Sequence, residues 1–153
     1  MNPKELIARL NWFYSLELNQ VDLYTAQANA VEGDIYLAKA LFRVAVIEQQ
    51  HVDNMAEAIK MLGTEPTKLG DVISPLLGKT LGIITGLIDP KLMLKANITL
   101  EEKAMQDYKN LIINIGANEQ LFNVLWHNLI DEDLHTAWFA NKLKELESLG
   151  TLH

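Results

Sequence analysis

Apolar residues recur along this chain at three- and four-residue intervals, the period of helices and not the alternation of strands. The first stripe follows Leu6, Leu10, Phe13, Tyr14, Val21 and Tyr24. Asn2-Pro3-Lys4-Glu5 supplies its start, with a capping side chain, a proline at the first helical position and a carboxylate where a capping box places one. The helix is predicted to run to about Val31. Gly33-Asp34 breaks the pattern, and Asp34 caps a second stripe through Leu37, Leu41, Val44, Ala45, Val52, Met55, Ile59 and Leu62, closed by Gly63 and Pro66. A third helix is predicted from Asp89-Pro90 to Gly116. The fourth runs from near Asn118 to about Gly150, with Leu121, Leu125, Leu129, Phe139, Leu143 and Leu146 on one side.

Helices of nearly thirty residues span about 40 Å, and the short connections at 32–34 and 116–118 make each pair an antiparallel hairpin. Residues 64–88 are too many for a tight turn and must bridge the two hairpins. This crossover is the most apolar part of the chain. Lys79 is the one charge between Val72 and Ile88, and Gly78, Gly82 and Gly86 recur every fourth residue, a spacing that permits close helix packing. Two readings stand: a crossover helix packed on the bundle, or a surface meeting lipid or a second copy of the chain. Pro75 and the shortness of the run argue against a membrane span.

Length and composition narrow the chemistry. A chain of 153 residues that is 49% apolar and 22% charged is enough for one domain, 1–153, with its own core. It has no cysteine, which removes disulfides, thiolate metal sites and a cysteine nucleophile and leaves oxygen and nitrogen as metal ligands. The formal charge of −7 opposes binding to nucleic acid. Lys4, Glu5 and Arg9 occupy the first ten residues, where a secretory signal would be apolar, so a cytoplasmic location fits.

Two histidines follow a glutamate by three residues: Glu48-x-x-His51 and Glu132-x-x-His135. The two motifs lie 84 residues apart, and the same offset relates Glu17 to Glu101 and Tyr24 to Tyr108. The chain therefore reads as a duplicated helical hairpin. All four glutamates fall on the apolar stripes, with Glu102 a rival to Glu101. Four buried carboxylates without partners are prohibitively costly, and the stripes carry too few basic residues to neutralise them. Two divalent cations balance the four charges, and two imidazoles complete an oxygen and nitrogen ligand set, the pattern of a di-iron or di-manganese bundle. The expected metal ligands are Glu17, Glu48, His51, Glu101, Glu132 and His135, holding two Fe ions, two Mn ions or a mixed pair. Asp131 either holds a ligating histidine through its second ring nitrogen or is a solvated helix residue. Tyr24 and Tyr108 either stand beside the metals, as hydrogen-bond donors or redox-active phenols, or are bulky core residues. His127 and His153 read as surface residues, and the Trp and Met residues as core.

These residues resemble the ferritin-like di-iron superfamily, and within it the demethoxyubiquinone hydroxylase family, from about Asn11 to Leu146. Glu17 with Tyr24 and Gln27 is similar to that family's first-helix signature. Glu48-x-x-His51, Glu101 with Tyr108, and Asp131-Glu132-x-x-His135 are similar to its other three. Asp71-Val-Ile-Ser-Pro-Leu and its glycine-rich continuation look like its membrane-facing, substrate-admitting crossover. Ser15-Leu16, Ile47 and Asp107 differ from its usual residues, and the metal motifs are shared with rubrerythrins.

The resemblance implies an all-α, ferritin-like antiparallel four-helix bundle of two hairpins joined by an apolar, partly helical crossover. It further implies a di-iron oxidoreductase activating O2 or peroxide, with Glu48 and Glu132 bridging and Glu17 and Glu101 more terminal. The implied reaction is monooxygenase-like hydroxylation of a quinone-like apolar substrate, as in ubiquinone biosynthesis, beside the inner face of a membrane met through residues 72–88. No flavin or nicotinamide fingerprint is present, so electrons come from an external donor. The alternatives are a rubrerythrin-like oxidase or peroxide reductase, a ferritin-like iron-binding protein, and a structural bundle whose crossover glycines form a homodimer.

Overall fold

The computed structural model describes residues 1–77 and 89–150. Its elements in order are α1 (Pro3–Ala30), α2 (Ile35–Met61), a four-residue turn of helix α3 (Ser74–Leu77), α4 (Pro90–Ile112) and α5 (Glu119–Gly150). The four long helices form an antiparallel bundle in which α1 packs along α2 and α4 along α5. Among the described residues the fold is all-helical, and no helix is long and apolar enough to cross a membrane.

Each long helix starts where its sequence provides a cap for the first unpaired amides. Asn2 Oδ1 accepts from the Glu5 amide at 2.9 Å, Asp34 Oδ1 from Leu37 at 2.9 Å, Asp89 Oδ1 from Lys91 at 2.8 Å and Asn118 Oδ1 from Leu121 at 3.0 Å. Both hairpin turns contain a glycine in the left-handed region, Gly33 at φ 78° and Gly116 at φ 70°, where a side chain would be strained. One boundary differs from the prediction: α4 ends at Ile112, four residues before Gly116. Asn114 explains the early stop, since its side chain donates to the Asn110 carbonyl at 2.7 Å and competes with the helical ladder.

The bundle interior has two apolar layers. One is built on Leu10, Phe13, Leu16, Met55, Ile59, Leu100, Leu111 and Leu125. The other gathers Tyr24, Leu37, Leu41, Val44, Met93, Leu94 and Phe139. Burying a large apolar side chain in either layer contributes about 1.5–3 kcal/mol. Between the two lie the four stripe glutamates, all fully buried.

The outer stripe residues are less covered than the periodicity implies: Tyr14 and Val21 are half-buried, while Asn11, Ser15, Gln20 and Gln27 take inward places. Trp126 and Trp138, expected in the core, are 45% and 38% exposed. With Phe122, Ile130 and Leu134 they form an i, i+4 ridge beside the buried line of Leu125, Leu129 and Phe139, so α5 is apolar over more than its core face. His127 is exposed as predicted. His153 and the crossover residues Gly78, Lys79, Gly82 and Gly86 lie outside the described residues.

The described crossover runs along α1, held by a ladder of α1 side chains. Asn11 Oδ1 accepts from the Thr67 amide at 2.6 Å, Ser15 Oγ from Leu69 at 2.8 Å and Asn19 Oδ1 from Val72 at 2.8 Å. Asn19 Nδ2 also donates to the Gly70 carbonyl at 3.2 Å. Ile73 then enters the first apolar layer.

Candidate metal centre

Each long helix brings one glutamate to the polar layer, and α2 and α5 add a histidine one turn further along. Glu17, Glu48, Glu101 and Glu132 are fully buried, His51 is 1% exposed and His135 5%. Glu102, the rival of Glu101, faces solvent.

The six side chains form two overlapping sets. In one, Glu17, Glu48, His51 and Glu132 place a ligand atom each within 4.8 Å of one another; in the other, Glu48, Glu101, Glu132 and His135 do so. Glu48 and Glu132 belong to both, and each divides its two oxygens between the histidines. His51 Nδ1 lies 2.9 Å from Glu48 Oε2 and 3.2 Å from Glu132 Oε1. His135 Nδ1 lies 3.2 Å from Glu48 Oε1 and 3.4 Å from Glu132 Oε2. Glu17 Oε2 joins the His51 set, 3.5 Å from its Nδ1. The imidazoles are 6.3 Å apart between centroids.

These approaches are not satisfied hydrogen bonds. Both oxygens of Glu48 and of Glu132, one each of Glu17 and Glu101, and Nδ1 of both histidines are buried without a hydrogen-bond partner among the described residues. Orphaning a buried polar group costs about 1–3 kcal/mol, more for a charged one. Buried polar atoms that converge unpaired in this way instead match ligands directed at a shared cation. Four carboxylates and two imidazoles are also a donor set suited to two Fe(II) ions. The cluster therefore fits a di-iron site.

In the metal-free protein, protons take the place of cations. Burial, then the charges of Glu132 and Glu48, push the Glu17 carboxyl well above the usual range. Burial, then Glu132, does the same to Glu101. Burial also opposes charge on His51, but the hydrogen bond to Asp131 and the surrounding glutamates raise its pKa well above the ordinary value. For His135, burial is again outweighed, by Glu132 and Glu48, and the pKa is pushed up to about 10. Glu132 goes the other way: burial disfavours its charge, yet the close approach of Glu101, His135 and His51 holds it below the usual carboxylate range.

The outer contacts bind the two repeats to each other. Tyr24 of α1 donates to Glu101 Oε1 of α4, and Tyr108 of α4 donates to Glu17 Oε1 of α1. Both tyrosines are fully buried, and burial is the first cause holding their hydroxyls protonated. They thus stand beside the cluster as hydrogen-bond donors. Asp131 is placed likewise: a carboxylate only accepts, so His51 donates Nε2–H to Asp131 Oδ2 at 3.0 Å, which turns Nδ1 toward the glutamates.

Several further residues support the cluster, and of these only Gln27 stands out in the sequence, through the first-helix resemblance. Gln20 Nε2 donates to Glu101 Oε1 at 3.3 Å, Asn128 Nδ2 donates to the Tyr108 hydroxyl at 3.1 Å, and Asn54 donates to Asn128 at 3.0 Å. Gln27 and Asn97 exchange amide hydrogen bonds at 2.9 and 2.8 Å. A signal existed: Asn97 and Asn128 each stand four residues before a cluster glutamate, on the same helix face.

Comparison with known proteins agrees with this geometry. A family model, Ferritin, described as the ferritin-like domain, matches residues 7–149. No curated protein sequence matches the chain. Among solved structures it is similar to a dodecameric thioferritin, a bacterioferritin-related protein of Bacteroides fragilis, with a TM-score of 0.81 and 20% identity over 99% of this chain and 91% of that one. It is similar to Desulfovibrio desulfuricans bacterioferritin, described with its di-iron site in different catalytic states, with a TM-score of 0.75 and 23% identity over 97% and 83% of the two chains. A mycobacterial bacterioferritin gives a TM-score of 0.74 and 19% identity over 99% and 90%. Likeness at such identities speaks to the fold. The ferritin-like resemblance stands, and none of these matches points to the hydroxylase family within it.

Proposed function

The chain belongs to the ferritin-like domain family, and from that premise we propose that its buried cluster binds two Fe(II) ions as substrate and passes their electrons to O2 or hydrogen peroxide. The observation that carries this reading is the sharing of Glu48 and Glu132 between both donor sets, an arrangement in which four carboxylates would balance the charge of two divalent cations. The di-iron site named for the Desulfovibrio desulfuricans protein supports it by likeness of fold.

Each Fe(II) gives up one electron, so a pair supplies the two needed to reduce peroxide to water, with two protons consumed. Iron contributes the redox change, and the protein's part is placement and insulation. Glu17 with His51 would hold one ion and Glu101 with His135 the other, with Glu48 and Glu132 between them. Binding requires both histidine Nδ1 atoms to be unprotonated and the glutamates ionised, so protons leave as iron enters. Tyr24 and Tyr108 hold Glu101 and Glu17 in place by donating to the oxygen of each that is not orphaned. The apolar layers on both sides keep bulk water from the reacting atoms.

On this reading the iron is itself the electron source, and the external donor expected from sequence is not required. Hydroxylation of a quinone-like substrate depended on a crossover surface whose residues 78–88 lie outside the described structure, and iron oxidation takes its place. The test is anaerobic addition of two Fe(II) per chain, followed by O2 or peroxide in separate samples. Rapid formation of protein-bound ferric absorbance with either oxidant, lost in Glu48→Ala, supports the proposal. Oxidation no faster than that of iron in buffer overturns it.

A further inference from the structure

The 84-residue duplication provides an internal comparison, because residues at that offset occupy equivalent places in the two hairpins. Glu17 and Glu101, Tyr24 and Tyr108, Glu48 and Glu132, and His51 and His135 all obey it. The position just before the second glutamate of each repeat does not: it is Ile47 in the first and Asp131 in the second. Both are partly exposed, on α2 and α5 respectively. Asp131 reaches across to His51 and accepts its Nε2–H at 3.0 Å. The equivalent position of the first repeat is Ile47, whose aliphatic side chain offers no acceptor. His135 Nε2 is accordingly buried with no hydrogen-bond partner among the described residues.

We propose that this broken symmetry makes the two halves of the cluster unequal, so that the first divalent cation settles in the Glu17–His51 half and the second is held more weakly in the Glu101–His135 half. The inference rests on the metal-binding reading above and adds an order of filling to it. A carboxylate on the outer nitrogen of a ligating imidazole fixes which nitrogen bears the proton, holds the ring angle and raises the basicity of the ligating nitrogen. Loss of such a partner typically costs about 10–100-fold in metal affinity. His51 has that partner and His135 does not. Each terminal glutamate receives one tyrosine hydroxyl from the opposite repeat, and Glu101 also accepts from Gln20 at 3.3 Å; that amide orients a carboxylate and leaves the outer nitrogen of His135 without a partner among the described residues. Asp131 acts through His51 and is a positioning residue. A chain carrying one cation is then filled mainly on the His51 side.

Two cations sharing Glu48 and Glu132 repel each other, so a stepwise isotherm alone is not diagnostic. The response of each step to substitution is. The experiment is anaerobic calorimetric titration of the metal-free full chain with Co(II), followed in parallel by Co(II) absorption. Glu17→Gln should remove the tighter step and Glu101→Gln the weaker one. Asp131→Ala should weaken the tighter step about 10–100-fold and leave the weaker step near its wild-type value. Ile47→Asp, which places a carboxylate at the equivalent position of the first repeat, should tighten the weaker step, and this arm decides the matter if Asp131→Ala fails to fold. Loss of the weaker step in Glu17→Gln, or an unchanged tighter step in Asp131→Ala together with an unchanged weaker step in Ile47→Asp, overturns the assignment while leaving metal binding intact. Absence of Co(II) binding in the wild-type chain overturns both the assignment and the reading beneath it.

Discussion

Tyr24 and Glu101 lie 77 residues apart and on different hairpins, yet the buried tyrosine hydroxyl donates to the glutamate's Oε1. Its counterpart, Tyr108 to Glu17, runs the opposite way across the bundle. Because each hairpin thus supplies the donor for the other's carboxylate, neither half of the cluster is complete without its partner. The duplication is built into the site as well as into the chain.

These two contacts should not be equally sensitive. In Tyr24→Phe, Glu101 Oε1 keeps Gln20 as a donor at 3.3 Å. In Tyr108→Phe, Glu17 Oε1 loses the tyrosine and Asn128 Nδ2 loses its acceptor. Each stranded buried group costs about 1–3 kcal/mol, so Tyr108→Phe should destabilise the metal-free protein more than Tyr24→Phe does. Urea denaturation of both variants, with chelator present, checks the order; equal losses would count against it.

Shared ligands predict a different response from terminal ones. Glu48→Gln touches both donor sets and should abolish stoichiometric binding of both cations, whereas Glu17→Gln touches one set. Ligand at 100 times its dissociation constant raises stability by about 2.7 kcal/mol. Thermal melts with and without Fe(II) under anaerobic conditions should show a gain in the wild type, a smaller gain in Glu17→Gln and none in Glu48→Gln.

The histidines set a pH dependence whose sign follows from the folded pKa. Burial alone would lower that of His135, but Glu132 and Glu48 push it up to about 10, above the ordinary value of 6.5. In the metal-free protein its contribution to stability is therefore fully present below about pH 6.5 and is lost as pH rises toward 10. Metal binding must displace the same proton, so affinity should climb over that interval while metal-free stability falls. Denaturation and metal titrations at a series of pH values test the opposed trends. Calorimetry in buffers of different ionisation enthalpy counts the protons released.

The ladder that holds the crossover should be separable from the cluster. Asn19→Ala removes the acceptor of the Val72 amide and the donor to Gly70. Amide exchange at Val72 should accelerate, with a stability loss of about 0.5–1.5 kcal/mol per hydrogen bond. Co(II) affinity should stay unchanged.

The helical pattern and the 84-residue offset made much of this molecule legible. Caps at Asn2, Asp34, Asp89 and Asn118 mark helix starts because each answers a local need for an acceptor. Glu17, Glu48, Glu101 and Glu132 stood out because buried carboxylates on apolar stripes demand a partner. What stayed hidden depends on contacts across the bundle. Asn11, Ser15 and Asn19 look like ordinary solvated polar residues until residues 67–72 lie against them. Periodicity cannot say which side of a broad apolar face is covered, so it places Trp126 and Trp138 inward although they line the exposed edge of α5. The same limit left Asp131 open between two roles, since its partner His51 is 80 residues away on another helix.

The most direct measurement is iron stoichiometry after anaerobic Fe(II) loading and removal of free metal, followed by the absorption spectrum on exposure to O2. Two Fe per wild-type chain, a ferric band that grows with oxygen, and the loss of both in Glu48→Ala/Glu132→Ala are the expected result. A wild-type chain that retains no iron, or a double variant that retains as much as wild type, would contradict a dinuclear centre built on these shared glutamates.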